Sequence, residues 1–150
     1  MPNFLVDSQE DQNAATAGSI SIPASTTPAL FGSVVLDTSG AGTTLQVHFS
    51  ATVTLSATIT ILAPVTITIV RTIGAVATTV YTATTSLPIG TLLLTTDVFT
   101  ISGIDVPPAA DSITYEAFVS IPAGLAVIPT RVGPESFQVT AYSDTPAPVI

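Results

Sequence analysis

Leu45-Gln46-Val47-His48-Phe49-Ser50-Ala51-Thr52-Val53-Thr54-Leu55-Ser56-Ala57-Thr58-Ile59-Thr60-Ile61 is the stretch on which the fold turns. Its odd positions are all apolar, from Leu45, Val47 and Phe49 to Ile59 and Ile61, and its even positions are all polar, mostly Ser and Thr. A period of two places one set on a buried face and the other toward water, as a β-strand does. A helix would scatter the hydroxyls around its whole circumference. The stretch lies in a run without formal charge between Asp37 and Arg71, and the alternation is what argues against reading that run as a membrane helix. As one strand, at about 3.4 Å per residue, it would exceed about 50 Å, far beyond the usual five or six residues. The expectation is one long bent strand, or two strands crossing between sheets near Ser56.

Working outward, the same period recurs. Val65, Ile67 and Ile69 alternate with Thr66 and Thr68, and a turn at Ile73-Gly74-Ala75 leads into a hairpin partner over Val76–Thr85. Leu92–Ile101 is another apolar, β-branched run. Ile113, Tyr115, Ala117, Val119 and Ile121 form one face of a further strand, and Phe137, Val139 and Ala141 one face of the last. Ser19–Ile22 and Leu30–Leu36 supply two earlier strands. Turn residues fall between the runs: Pro23 and Pro28, Asp37 to Gly42, Leu87-Pro88-Ile89-Gly90, and Gly103 to Ala110 with Pro107-Pro108. Threonine is about one residue in six, and with Val and Ile it suits pleated, half-buried surfaces. The predicted fold is all-β: an antiparallel β-sandwich of about eight strands, jelly-roll type. An immunoglobulin-like sandwich would show a core Trp, often with a Cys pair, and both are absent.

The domain organisation expected is an N-terminal arm over 1–17, the sandwich over 18–143 and a Pro-rich tail over 144–150. The arm carries an apolar triplet, Phe4, Leu5 and Val6, ahead of a polar stretch. Those three residues are the candidates for contact with a neighbouring subunit, by adding a strand or filling a groove. The residues Met1 to Asp7 have neither the basic nor the apolar region of a secretory signal, so no classical signal peptide is expected.

The 150 residues are 47% hydrophobic and 8% charged, with ten acids against two arginines, no lysine and a net charge of −8. Nucleic acid and anionic membrane surfaces both need clustered cations, and Arg71 and Arg131 are the whole supply. Neither partner is expected, nor is insertion into a membrane. Without cysteine there is no disulfide, thiolate metal site or cysteine nucleophile.

Candidate chemistry is sparse. His48, the only histidine, falls on the hydroxyl-bearing face with no ligand-spaced neighbour. No Gly-x-Ser-x-Gly elbow frames a serine. Asp37-Thr38-Ser39-Gly40 departs from the Asp-Thr-Gly spacing of aspartic proteases and reads as a turn. Asp97, Asp105 and Asp111 are spread too widely for a calcium loop and read as solvated acids. Arg71 has the apolar parity of its strand, which predicts a strand-end position or an acidic partner, and Arg131 is assigned to a loop. No catalytic residue, cofactor or metal is expected. Edge strands are usually protected by charge, especially lysine. A lysine-free surface, on a chain whose overall mean hydropathy is +0.67, therefore predicts burial against copies of itself, as a trimer, a lattice or a filament.

Several segments resemble a known group. They are Ser33-Val34-Val35-Leu36-Asp37-Thr38, Ile69-Val70-Arg71-Thr72-Ile73-Gly74-Ala75-Val76 and Val98-Phe99-Thr100-Ile101 leading to Ile104-Asp105-Val106-Pro107-Pro108. Ile113-Thr114-Tyr115-Glu116 and Phe137-Gln138-Val139-Thr140-Ala141 complete the set. In order and over most of 18–143 they resemble the Thr-rich β-sandwich proteins of bacterial spore surfaces, exosporium or spore appendages, including the tumour-necrosis-factor-like terminal domains of collagen-like spore glycoproteins. The resemblance implies a self-assembling structural protein on the outside of a spore, in company with other surface-layer proteins. It supplies packing positions and no functional residues. It also departs from members that cross-link through cysteine. A viral capsid or tail-fibre jelly roll is the alternative, and a carbohydrate-binding module ranks behind both for want of Trp.

Overall fold

The computed structural model describes residues 3–57, 61–89 and 96–146. Its strands are β1 (Phe4–Ala14), β2 (Ile22–Pro23), β3 (Ala29–Asp37), β4 (Leu45–Ser56), β5 (Ile61–Ile73), β6 (Val76–Ile89), β7 (Thr96–Asp105), β8 (Ser112–Ser120), β9 (Thr130–Arg131) and β10 (Glu135–Ser143). No helix occurs among the described residues.

Setting aside the two-residue β2 and β9, the first strand pairs with the last, β1 with β10, and the second with the seventh, β3 with β8. The third pairs with the sixth, β4 with β7, and the fourth with the fifth, β5 with β6. This is one antiparallel ribbon doubled back at the Ile73–Val76 turn, where Gly74 takes a φ of 59° that a side chain would resist. Two further pairings, β10 with β4 and β8 with β5, curl the ribbon into two sheets. Sheet 1 runs β1-β10-β4-β7, with β9 and β2 continuing beyond the end of β10, and sheet 2 runs β3-β8-β5-β6. A ribbon rolled in this way is a jelly roll, and the predicted fold class is the observed one.

The core follows the parity read from the sequence. Leu45, Val47, Phe49, Val53 and Leu55 of β4 pack inside with Val65, Ile67 and Ile69 of β5, Ile113, Tyr115 and Val119 of β8, and Phe137 and Val139 of β10. β4 ends at Ser56 in sheet 1 and β5 begins at Ile61 in sheet 2, so the chain changes sheets just past Ser56; Thr58, Ile59 and Thr60 lie outside the described residues. Gly32 lets the two sheets meet closely, since a Cβ there would lie 2.5 Å from the Cβ of Phe137.

Several boundaries differ from expectation. The arm expected over 1–17 is not separate from the sandwich: Phe4–Ala14 is β1, hydrogen-bonded along β10 of its own chain. Its alternation is hidden because β1 is an edge strand whose side chains are largely polar and exposed. Ser19–Ile22 contributes only Ile22 to a strand. The turn expected at Leu87–Gly90 is displaced, since β6 stays paired with β5 through Ile89. Leu92–Thr95 lie outside the described residues, and β7 runs on through Gly103 to Asp105. Arg131 belongs to the short strand β9 and not to a loop. Of the expected tail, residues 144–146 are described.

Candidate self-association surface

The two arginines are both consumed inside the molecule. Arg71 of β5 donates through one terminal nitrogen to both carboxylate oxygens of Asp105 at the end of β7, 2.7 and 2.9 Å away. The Tyr115 hydroxyl of β8 donates to the same carboxylate at 2.8 Å. This cluster ties sheet 2 to sheet 1, which explains the apolar parity of Arg71. Burial, then the hydrogen bond and charge of Asp105, push the Tyr115 phenol well above the ordinary tyrosine range. Arg131 forms a two-pronged pair with Glu135, at 2.7 and 2.6 Å, with both side chains almost wholly buried. Asn13 of β1 donates to Glu135 as well. With both cations used, the acids left without an arginine are Asp7, Glu10, Asp11, Asp37, Asp97, Asp111, Glu116 and Asp144.

Four of these eight lie on one flank, where the edges β1 and β3 face each other. The backbone N–H of Asp37 donates to Asp7 at 2.8 Å, and that of Ser33 donates to Asp11 at 2.9 Å. Asp7 and Asp11 are four residues apart on β1, as are Ser33 and Asp37 on β3. Carboxylates of one sheet therefore cap edge donors of the other, in antiparallel register. The Asp37 carboxylate, held below the usual range by the hydroxyl and N–H of Ser39, adds negative charge at the same place. At the adjoining end, the N–H of Thr44 does the same for Asp144. Acidic edges capped in this way repel another copy of the same edge.

The opposite flank is built differently. There β6 ends sheet 2 and β7 ends sheet 1, and the two lie against each other. From Val76 to Leu87 the sequence is Val-Ala-Thr-Thr-Val-Tyr-Thr-Ala-Thr-Thr-Ser-Leu, twelve residues without charge, Pro or Gly. Val76 is 67% exposed, and Val98, Ile104 and Val106 on and just beyond β7 are 56%, 55% and 66% exposed. A groove of about 260 Å³ at this end is lined by Arg71, Ile73, Val76, Thr78 and Pro108. Among the described residues, no side-chain hydrogen bond reaches the backbone of β6.

The residues singled out in the sequence fall as follows. Phe4 and Leu5 are exposed at the start of β1, and Val6 is half-buried against the core. They begin a strand of their own sandwich, with Phe4 opposite Ser143 and Leu5 opposite Tyr142. His48 lies on the outer face of sheet 1, beside Gln46 and edge-on to Tyr142. Asp97 and Asp105 stand at opposite ends of β7, so the three aspartates considered for calcium are not gathered. No group of three potential metal ligands occurs among the described residues. Sequence reasoning missed the roles of Asp7, Asp11 and Glu135. A usable signal existed: an i, i+4 spacing puts two strand residues on one side, and Arg131 and Glu135 bracket a Gly133-Pro134 turn.

No family model matches the chain, and no curated protein matches it. Solved structures do match in shape. Eiger TNF from S. frugiperda superimposes with a TM-score of 0.52 and 11% identity over 99% of both chains. A chain from the structure of the infectious bursal disease virus Gx strain gives 0.50 and 17% identity, covering 93% of this chain and 33% of the viral one. The present chain thus spans about a third of the viral chain it matches. At these identities the likeness concerns the fold alone, and it sets the chain among the double-sheet antiparallel jelly rolls.

Proposed function

We propose that this chain is a non-catalytic structural subunit that assembles with copies of itself. The observation that carries this reading is the segregation of charge. Both arginines are spent on internal pairs, and half of the remaining acids lie on β1 and β3, where Asp7 and Asp11 cap backbone donors across the flank. On the β6/β7 flank Asp97 is the one acid without an arginine, β6 itself is uncharged, and the surface is apolar in patches and open along β6. A surface of that kind gains by burial against another protein surface. The proposed location is the exterior of a bacterial spore, as an exosporium layer or appendage, supported by the sequence resemblance over 18–143.

A viral capsid jelly roll is the second reading, supported by the shared fold with the infectious bursal disease virus chain. Light scattering of the purified chain at micromolar concentration, followed by electron microscopy, tests both. The expected result is a species well above 15.2 kDa. Fibres or sheets favour the surface-layer reading and closed particles the capsid reading. A monomer at every concentration overturns self-assembly.

A further inference from the structure

We propose that β6 is a strand-addition edge, and that its occupant is β6 of a second copy, paired antiparallel about a two-fold axis so that two four-stranded sheets become one of eight. The inference rests on the self-association reading above and names the surface.

The argument begins with symmetry. A two-fold contact sets residue i against j and j against i, so a strand that pairs with itself meets its own charges. Of the edge strands longer than the two-residue β2, β1 carries Asp7, Glu10 and Asp11, β3 carries Asp37, and β7 carries Asp97 and Asp105. β6 carries no charge over Val76–Ile89. Its composition over Val76–Leu87, ahead of Pro88, also suits strand pairing, because Thr and Val dominate and uncharged segments without Pro or Gly are those that add to other strands. The edge is regular over Tyr81–Ser86, beyond a bulge that leaves Val80 without a partner on β5. Thr82, Thr84 and Ser86 are exposed on this stretch. Threonine pairing across strands is already present next door, where the hydroxyls of Thr66 and Thr84 lie 2.8 Å apart. A cationic partner would be drawn instead to the acidic β1/β3 flank, and an acidic partner finds no free cation here. A neutral copy of the same edge fits best.

The test uses the full chain and its lack of cysteine. Single-cysteine variants Thr82→Cys, Thr84→Cys and Ser86→Cys, oxidised at micromolar concentration, should give disulfide-linked dimers at one or more positions, because opposed Cβ atoms in such a pair lie about 5 Å apart. Ser33→Cys on the sealed flank should give none. Thr84→Lys and Thr84→Glu should each weaken association about tenfold or more, and mixing the two should restore it. Circular dichroism confirms that each variant is folded. If the native chain associates but these variants neither cross-link nor weaken it, β6 pairing is overturned and self-association stands. If the native chain stays monomeric, both fall.

Discussion

The two flanks of this sandwich solve the same problem in opposite ways. Each is a place where two sheets end and unpaired backbone groups are left over. At β1/β3 the leftover donors of Ser33 and Asp37 are taken by carboxylates reaching across from the other sheet. At β6/β7 the sheets are tied internally, through Arg71, Asp105 and Tyr115, and the outer edge is left untouched. Sealing an edge with charge and sealing it with another chain are alternatives. A chain with no lysine has only carboxylates for the first, and the two that cap edge donors of the other sheet, Asp7 and Asp11, stand on one side. The difference teaches that low charge content need not mean a uniformly sticky surface.

The comparison breaks most severely at Glu135, which anchors the sealed flank through Arg131 and Asn13. Glu135→Ala leaves Arg131 buried without its partner and should cost about 3–5 kcal/mol, read from urea unfolding. Gly32→Ala forces a methyl against Phe137 beneath β3 and should cost about 1–3 kcal/mol. Asp7→Ala and Asp11→Ala each free one β3 donor to water and should cost about 1 kcal/mol. The informative result there is a second one: the double variant should associate through β3, giving larger species than the native chain in light scattering. If it behaves like the native protein, the carboxylates are not what protects that edge. Smallest of all, Thr82→Ala on the open edge should change monomer stability by less than about 0.5 kcal/mol.

A pH series sharpens the contrast further. The folded chain keeps the Tyr115 phenol protonated where an exposed tyrosine ionises. That contribution to stability is complete below about pH 10 and declines as pH rises above it, since the unfolded chain then releases the proton first. In phenolate absorbance, the Tyr115 signal should arrive only with unfolding, so Tyr115→Phe should remove the part of the absorbance change that coincides with the loss of structure. At the acid end, Asp37 and Asp144 have lowered pKa values, so the stability they contribute is present above the usual carboxylate range and is lost as pH falls through it.

How much of this was legible in the sequence depends on which side of a strand was buried. β4, β5, β8 and β10 carry one mainly apolar face, and Leu45 to Leu55 or Phe137 to Ala141 can be read off by parity alone. β1 could not, because a sheet edge that buries little beyond Ala14 has no such face to show. Its acids look like a solvated spacer until β3 is placed beside them. The Arg71–Asp105 contact was half legible: an arginine at an apolar position demands an acid, yet only the rolled ribbon reveals which one. The open edge was visible as twelve uncharged residues, but whether they lay at an edge or in a sheet centre is a matter of topology.

The ribbon itself has a consequence in time. Ser8 and Thr140, whose hydroxyls meet across β1 and β10, are 132 residues apart in the chain. Folds dominated by such distant partners close slowly, because the entropy of joining far segments is lost before their contacts form. During synthesis β1 must therefore wait for β10 to emerge, while the β5–β6 hairpin, whose contacts are local, can form early. The neutral β6 edge is then on display throughout the wait, at high local concentration on a polysome. On the β6 pairing proposed above, assembly would begin before the sandwich is complete, and the order in which the strands leave the ribosome would set which edges compete for it.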